Sequence, residues 1–185
     1  FEFSDDQKQL RDEARRYLAE HSSPKAVRTV LEGRAPYDKE LWKGLAGMGF
    51  LGVAIPEEYG GAGAGHLELC VIAEEMGRAL APVPFSSSIY LAAEAIMLAG
   101  TTDQKQKYLP GLAQGMTIGT LALFEGTGNP SPQKIATSVA QNKISGVKKP
   151  VPDGAIADIA IVAARSGSSG RATDISIYIV DLKST

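Results

Sequence analysis

The spacing of apolar residues changes near residue 116, and this change restricts the fold more than any other feature. Before it, apolar residues recur every three or four positions, as they do along the buried face of a helix. After it, short β-favouring runs such as 117–124 and 175–180 are separated by glycine, proline and asparagine, a pattern typical of strands and turns. We therefore predict an α+β chain, with an all-α helical bundle over 1–115 followed by a partial antiparallel β domain of about five strands over 116–185.

Capping residues mark the beginnings of three of the six predicted helices. Ser4 and Gln7 have the spacing of a capping box, in which each side chain bonds the other residue's backbone N–H. Ser23 supplies a capping hydroxyl directly before Pro24, a residue favoured at the first helical position. Asp38 is expected to cap the third helix.

The other three helices are predicted from apolar stripes or from a short charged segment, and they span 66–80, 89–99 and 104–109. Ser87 or Ser88 is expected to begin the second of these helices. Pro110 is expected to end the third, because proline removes a backbone donor.

A short extended run is predicted at 50–55, leading into the glycine-rich loop 56–65. The glycines of this loop lack the G-x-G-x-x-G spacing of a dinucleotide-binding turn, and no long strand precedes them. A tight turn between helices is therefore the favoured interpretation.

Composition restricts the partners of the chain. The chain is 44% hydrophobic, and 19 Lys+Arg against 21 Asp+Glu give a net charge of −2 without a basic cluster, so nucleic acid is not an expected partner. Cys70, the single cysteine, is expected to be a small buried helix residue. The two histidines lack metal-ligand spacing, so no metal site is predicted. Acidic first residues and the lack of a long apolar run predict a soluble, cytoplasmic protein without membrane contact.

The segment 115–132 is a candidate ligand-binding edge, because a strand there ends in a loop at the boundary between the two predicted architectures. Most junctions of this kind only reverse the chain, so its position alone leaves both interpretations open.

Several motifs, in their order along the chain, resemble those of the acyl-CoA dehydrogenase family: G-F-L-G-V-A-I-P-E-E-Y-G-G-A-G at 49–63, E-E-M-G-R at 74–78, the segment 100–110, and Ala157-Asp158 before a β run. The resemblance implies an FAD enzyme that removes hydrogens from the α and β carbons of an acyl-CoA thioester. In this family the catalytic base, a glutamate, lies in a third, helical domain, which is absent here. The chain is thus expected to be a fragment of a longer protein, and no catalytic residue is assigned, Glu125 included.

The same resemblance implies which residues contact the flavin, although both flavin motifs diverge from the family pattern. Phe124 and Pro130 replace a threonine and a serine of the first motif. Pro150 and Pro152 replace an aromatic residue and a hydroxyl residue of the second, whereas Val151 keeps its aliphatic character. Backbone groups of the first motif are expected to compensate for the lost hydroxyls. The cofactor-binding residues implied are Ala122, Leu123, Phe124, Pro130, Pro150, Val151 and Pro152.

The predicted helix 89–99 is implied, by the resemblance, to form the floor of the acyl pocket. Its candidate substrate-binding residues are Tyr90, Leu91, Glu94 and Ala95. Ordinary helix packing explains the same residues and is the favoured interpretation of them. If Glu94 does face the pocket, it favours a substrate with polar groups, because a buried carboxylate needs hydrogen-bond partners.

Three functional hypotheses follow. The first is a subunit of an FAD-dependent acyl-CoA dehydrogenase of lipid metabolism, in fatty acid or sterol catabolism, which passes electrons to electron-transferring flavoprotein and forms an oligomer with identical or homologous chains. The second is a non-catalytic partner subunit that has lost flavin binding and stabilises a homologous chain. The third is a free-standing helical interaction module.

Overall fold

The computed structural model describes residues 2–128 and 130–183. Within these residues the chain forms six α-helices, which are α1 (Asp5–His21), α2 (Pro24–Leu31), α3 (Lys39–Gly47), α4 (His66–Arg78), α5 (Glu94–Ala99) and α6 (Thr102–Ala113). It forms five strands, which are β1 (Gly119–Ala122), β2 (Ser138–Ala140), β3 (Lys143–Ser145), β4 (Ile159–Arg165) and β5 (Ile175–Asp181). A π-helix, Ser86–Ala93, leads directly into α5. The predicted α+β class, with helices first and strands second, is confirmed.

The chain packs as two compact units. The helical unit contains residues up to 85 together with 102–116, and the sheet unit contains 86–101 together with the residues from 117 onward. The π-helix and α5 thus pack with the strands. The division of the chain into two domains at residue 115 stays a prediction.

In the helical unit, α1 begins at the predicted capping box, with the Ser4 and Gln7 side chains each bonded to the other residue's backbone N–H. α1 packs against α4 through Glu75, whose side chain is 1% exposed. Its carboxylate accepts two hydrogen bonds from Arg15, at 3.0 Å from Nε and 2.7 Å from Nη2, and lies 3.3 Å from Nε of Arg78. The Arg15 hydrogen bond holds the pKa of Glu75 below its ordinary value and outweighs the opposing effect of burial. A paired carboxylate therefore joins the two helices.

Three sequence expectations in this unit are wrong. The segment 50–55 is not extended: it begins as a 3-10 helix, Phe50–Gly52, and all six residues are buried, which removes the alternation that identifies a strand. Pro110 lies inside α6, because Leu109, Leu112 and Ala113 are buried around it and keep the chain helical. Cys70 is exposed on α4.

In the sheet unit, β4 is the central strand and is buried along nearly its whole length. β1 pairs in parallel with its first half, β2 pairs in parallel at Arg165, and β5 runs antiparallel along the opposite edge. β2 and β3 form an antiparallel hairpin across Gln141 and Asn142, whose φ angles of 50° and 59° fit a two-residue hairpin turn. The sheet is therefore mixed, and the prediction of an antiparallel domain is corrected. Sequence runs identify strands but not their partners.

No helix in the described part of the chain combines the length and the apolar character needed to cross a membrane.

Candidate functional site

The two predicted flavin motifs lie side by side in the sheet unit. The Lys149 amide donates to the Phe124 carbonyl at 2.8 Å, and the Gly126 amide donates to the Lys149 carbonyl at 2.8 Å. These bonds form a short parallel bridge between Glu125 and Lys149, which are 24 positions apart in the sequence, so only folding brings them together. Segments 123–126 and 148–150 thus form one continuous surface.

A buried ion pair fixes this surface. Lys148 Nζ lies 2.7 Å from Glu125 Oε1 and 3.3 Å from the Leu123 carbonyl oxygen, and the two charged side chains are only 8% and 13% exposed. The Glu125 carboxylate also accepts the backbone N–H groups of Ala136 at 2.7 Å and Thr137 at 3.0 Å. The Glu125 carboxylate therefore joins three segments of the chain: its own, the one that contains Lys148, and the one that contains Ala136 and Thr137.

These contacts shift the ionisation of Glu125. Burial alone would raise the pKa, but the hydrogen bond from Lys148 and those from the two backbone amides outweigh it and lower the pKa from 4.5 to about 2. A carboxyl with so low a pKa is a poor proton acceptor at neutral pH. The geometry thus agrees with leaving Glu125 without a catalytic role.

The lowered pKa predicts a loss of stability in acid. Because the folded-state pKa is depressed, the contribution of Glu125 is complete above its unfolded pKa of 4.5 and is lost as the pH falls toward about 2. The total expected loss is about 3 kcal/mol. Denaturant titrations at several pH values, compared with Glu125→Gln, measure it. A glutamine variant with the same acid dependence as the wild type would contradict this prediction.

Arg165, at the end of β4, holds the loop that follows the first motif. Its Nη2 donates to the Pro132 carbonyl at 2.5 Å and its Nε to the Ile135 carbonyl at 3.3 Å, while Nη1 lies 3.3 Å from Asp174 Oδ2. Arg165 therefore holds the loop at Pro132 and Ile135, and Glu125 holds the chain directly after it through the amides of Ala136 and Thr137.

A small pocket of about 50 Å³ opens between the first motif and this loop, lined in part by Phe124, Thr127, Ser131, Lys134 and Ile135. Binding pockets for whole cofactors are about 300–1,000 Å³, so this pocket has room for only part of a ligand. Its lining combines an aromatic ring and an aliphatic side chain with two hydroxyls and an ammonium group. Such a donor set fits the edge of a flavin, which needs apolar contacts together with hydrogen-bond donors.

The predicted cofactor-binding residues of the second motif belong to the same surface but differ in exposure. Val151 packs against the buried cluster of Ala122, Ala160 and Val162, so the side chains of Ala122 and Val151 serve packing within the sheet unit. Pro150 and Pro152 are exposed. Their assignment as flavin contacts stays a prediction.

The predicted substrate-binding residues share one face of the helical segment. The π-helix and α5 bury the side that carries Ser87, Ser88, Ile89, Ala92, Ala93 and Ile96. Tyr90, Leu91, Glu94 and Ala95 lie between these residues and are all half-buried. The four candidates thus form a stripe, as the hypothesis of an acyl pocket requires, and their role as ligands stays a prediction.

Sequence reasoning missed the polar residues that hold the site together. The prediction that Ser87 or Ser88 begins a helix is wrong: both lie inside the π-helix and are fully buried. Thr120 is also fully buried, and its hydroxyl donates to the Pro152 carbonyl at 2.5 Å. A polar residue inside an apolar run is the only signal in the sequence, and it does not identify the bonding partner.

Comparison with known proteins identifies relatives over both units. Residues 4–116 match the family described as acyl-CoA dehydrogenase, N-terminal domain. The chain is 38% identical over 125 residues to mitochondrial isovaleryl-CoA dehydrogenase of Solanum tuberosum, which covers 66% of this chain and 30% of that protein.

Two solved structures resemble the chain over nearly its whole length. One is a variant of the Tcur3481-Tcur3483 steroid ACAD, with a TM-score of 0.82, 34% identity, and coverage of 95% of this chain and 48% of that chain. The other is the ChsE4-ChsE5 complex from Mycobacterium tuberculosis, with a TM-score of 0.83, 25% identity, and coverage of 97% and 48%. The chain thus spans half or less of the length of these relatives.

Proposed function

The chain belongs to the acyl-CoA dehydrogenase family, and from this premise we propose that it is part of an FAD-dependent subunit that desaturates an acyl-CoA thioester between its α and β carbons. The observation that carries the proposal is the pairing of the two flavin motifs, in which Phe124 and Gly126 are bonded to Lys149. The two motifs are bonded to each other even though other residues replace the hydroxyl residues that the family carries in both of them.

In this proposal the chain supplies binding and orientation. When bound, FAD would supply the acceptor for the hydride lost from the β carbon, and the α proton would go to the glutamate base that the family carries in its third domain. The backbone at Ala122, Leu123 and Phe124 holds one edge of the flavin ring, and the apolar side chains around Phe124 and Val151 keep water from it. The stripe formed by Tyr90, Leu91, Glu94 and Ala95 orients the acyl group.

A second candidate function is a partner subunit that does not bind flavin. Four substitutions favour it, because Phe124, Pro130 and Pro152 lack side-chain hydroxyls, and the three prolines, Pro150 included, also lack backbone N–H donors. The two solved structures described above carry names that pair two different chains. A homologous chain would then provide the flavin contacts that are missing here.

Absorption spectroscopy of the natural-length protein distinguishes the two functions. Under the first we expect a bound-flavin spectrum in protein purified without added FAD. Pro152→Thr should then lower the Kd for FAD about fivefold, because one hydrogen bond contributes about 1 kcal/mol. Pro152→Ala is the matched control, since it removes the ring without adding a hydroxyl. A protein that stays colourless with FAD would contradict the first function and support the second.

Electron-transferring flavoprotein as the electron acceptor, a homologous or identical chain as the oligomer partner, and a cytoplasmic location belong to the same proposal. Co-purification of a homologous chain tests the oligomer directly.

A further inference from the structure

Two buried serines attach the π-helix to other parts of the sheet unit. Ser87 is 0% exposed, and its Oγ donates to Asp153 Oδ2 at 2.6 Å. Ser88 Oγ accepts the Gly119 amide at 3.1 Å, at the start of β1. The first contact reaches the residue directly after the second flavin motif. A short bond to a carboxylate is among the strongest hydrogen bonds in proteins, so this contact fixes the helix to that motif.

The backbone around Asp153 is itself held in place. Asp153 has a φ of +51°, a conformation that aspartate and asparagine tolerate better than most residues. Its carbonyl accepts the amides of Ile156 at 3.0 Å and Ala157 at 3.1 Å, which closes the turn that follows. The preceding residue, Pro152, is bonded to β1 through Thr120. The backbone of Asp153 is thus held in place, and its bond to Ser87 fixes the π-helix relative to the second flavin motif.

The helix that Ser87 attaches carries the half-buried stripe of Tyr90, Leu91, Glu94 and Ala95. The π-helix and α5 are continuous, so a shift of Ser87 moves the whole stripe. Helical turns of the π type also occur often at functional sites.

We propose that Ser87 and Asp153 are positioning residues that set the distance between the acyl-binding stripe and the flavin-binding motif. This inference rests on the proposed function, because it takes the roles of both segments from it. Neither residue touches the reacting atoms in this scheme: Asp153 acts through Ser87 on the helix, and through Pro152 on the flavin motif. Loss of the bond therefore weakens binding of the acyl group, which raises KM. It has a smaller effect on kcat, the rate at which a correctly bound complex reacts.

The test compares Ser87→Ala with the wild type in the natural-length protein, together with its homologous partner if one co-purifies. We expect KM for the acyl-CoA substrate to rise about tenfold, as for loss of one hydrogen bond to a charged group, with kcat changed less than about twofold. Hydrogen exchange should become faster in both 86–99 and 151–157. Ser87→Thr, which keeps the hydroxyl, should restore both properties.

Ser166→Ala is the matched control, because Ser166 Oγ donates to the Asp174 carbonyl in the same unit but outside the proposed contact. If Ser87→Ala does not fold, Asp153→Asn replaces it: asparagine accepts the same φ and keeps an acceptor oxygen, so a KM increase of about threefold is expected. An unchanged KM, or faster exchange confined to 86–99, would overturn the inference. A wild-type protein that binds neither FAD nor acyl-CoA would instead overturn the proposed function, and exchange alone would then decide whether the contact joins the two segments.

Discussion

Lys148→Met should lower the free energy of unfolding of the sheet unit by about 3 kcal/mol, because it leaves the Glu125 carboxylate buried without its cation. The two backbone amides that Glu125 accepts keep part of its stabilisation, so the expected value is at the lower end for a broken buried pair. Urea denaturation followed by fluorescence and circular dichroism measures the change. The same variant should bind FAD more weakly, because the first motif loses its side-chain attachment to the second and keeps only the backbone bonds to Lys149.

Lys149→Met is the matched control for this prediction. Lys149 is the next residue, it is exposed, and its backbone rather than its side chain makes the bonds to Phe124 and Gly126. We expect its stability to stay within about 0.5 kcal/mol of the wild type. Equal losses in the two variants would mean that the stability of this region depends on net charge and not on the buried pair.

Gly61→Ala should destabilise the helical unit by about 3 kcal/mol, because no side chain fits at this position. A Cβ atom on Gly61 would overlap the carbonyl oxygen of Ile55 and would lie 2.6 Å from that of Gly52. These two carbonyls already accept the amides of Gly63 and Ala62, so they cannot move without losing both bonds. Thermal and urea unfolding should both detect the loss.

Gly77→Ala is the corresponding control on α4. A Cβ atom there would meet no atom within 4 Å beyond its chain neighbours and the backbone of its own helix, and Gly77 lies in an exposed part of the helix. Alanine favours helix over glycine by up to about 1 kcal/mol, so this variant should be slightly more stable than the wild type. If Gly61→Ala were as stable as Gly77→Ala, this result would contradict the close approach of Gly61 to the Ile55 and Gly52 carbonyls.

Both large effects concern packing that does not depend on a ligand. The Glu125–Lys148 pair joins the flavin motifs, whether or not this chain holds the cofactor. A subunit that stabilises a homologous chain would need the pair for the same reason as a catalytic one. Stability measurements therefore test the structure, while the absorption spectrum tests the function.

Local sequence signals predicted local structure well. The caps at Ser4, Ser23 and Asp38 begin α1, α2 and α3 as expected, since a cap bonds an amide only two or three residues away. The strands β1 and β5 lie within or close to the predicted extended runs 117–124 and 175–180. The order of the motifs indicated the family, and the match of residues 4–116 to the family confirms it.

The sequence by itself determined the class of fold, most element boundaries and the family, because capping, periodicity and turn formation act over a few residues. Tertiary structure decided which strands are parallel, that Pro110 stays inside a helix, and which polar groups meet. Ser87 and Asp153 are 66 positions apart, and Glu125 and Lys148 are 23 apart. No local pattern specifies such partners, because each bond forms only after distant segments of the chain have packed together.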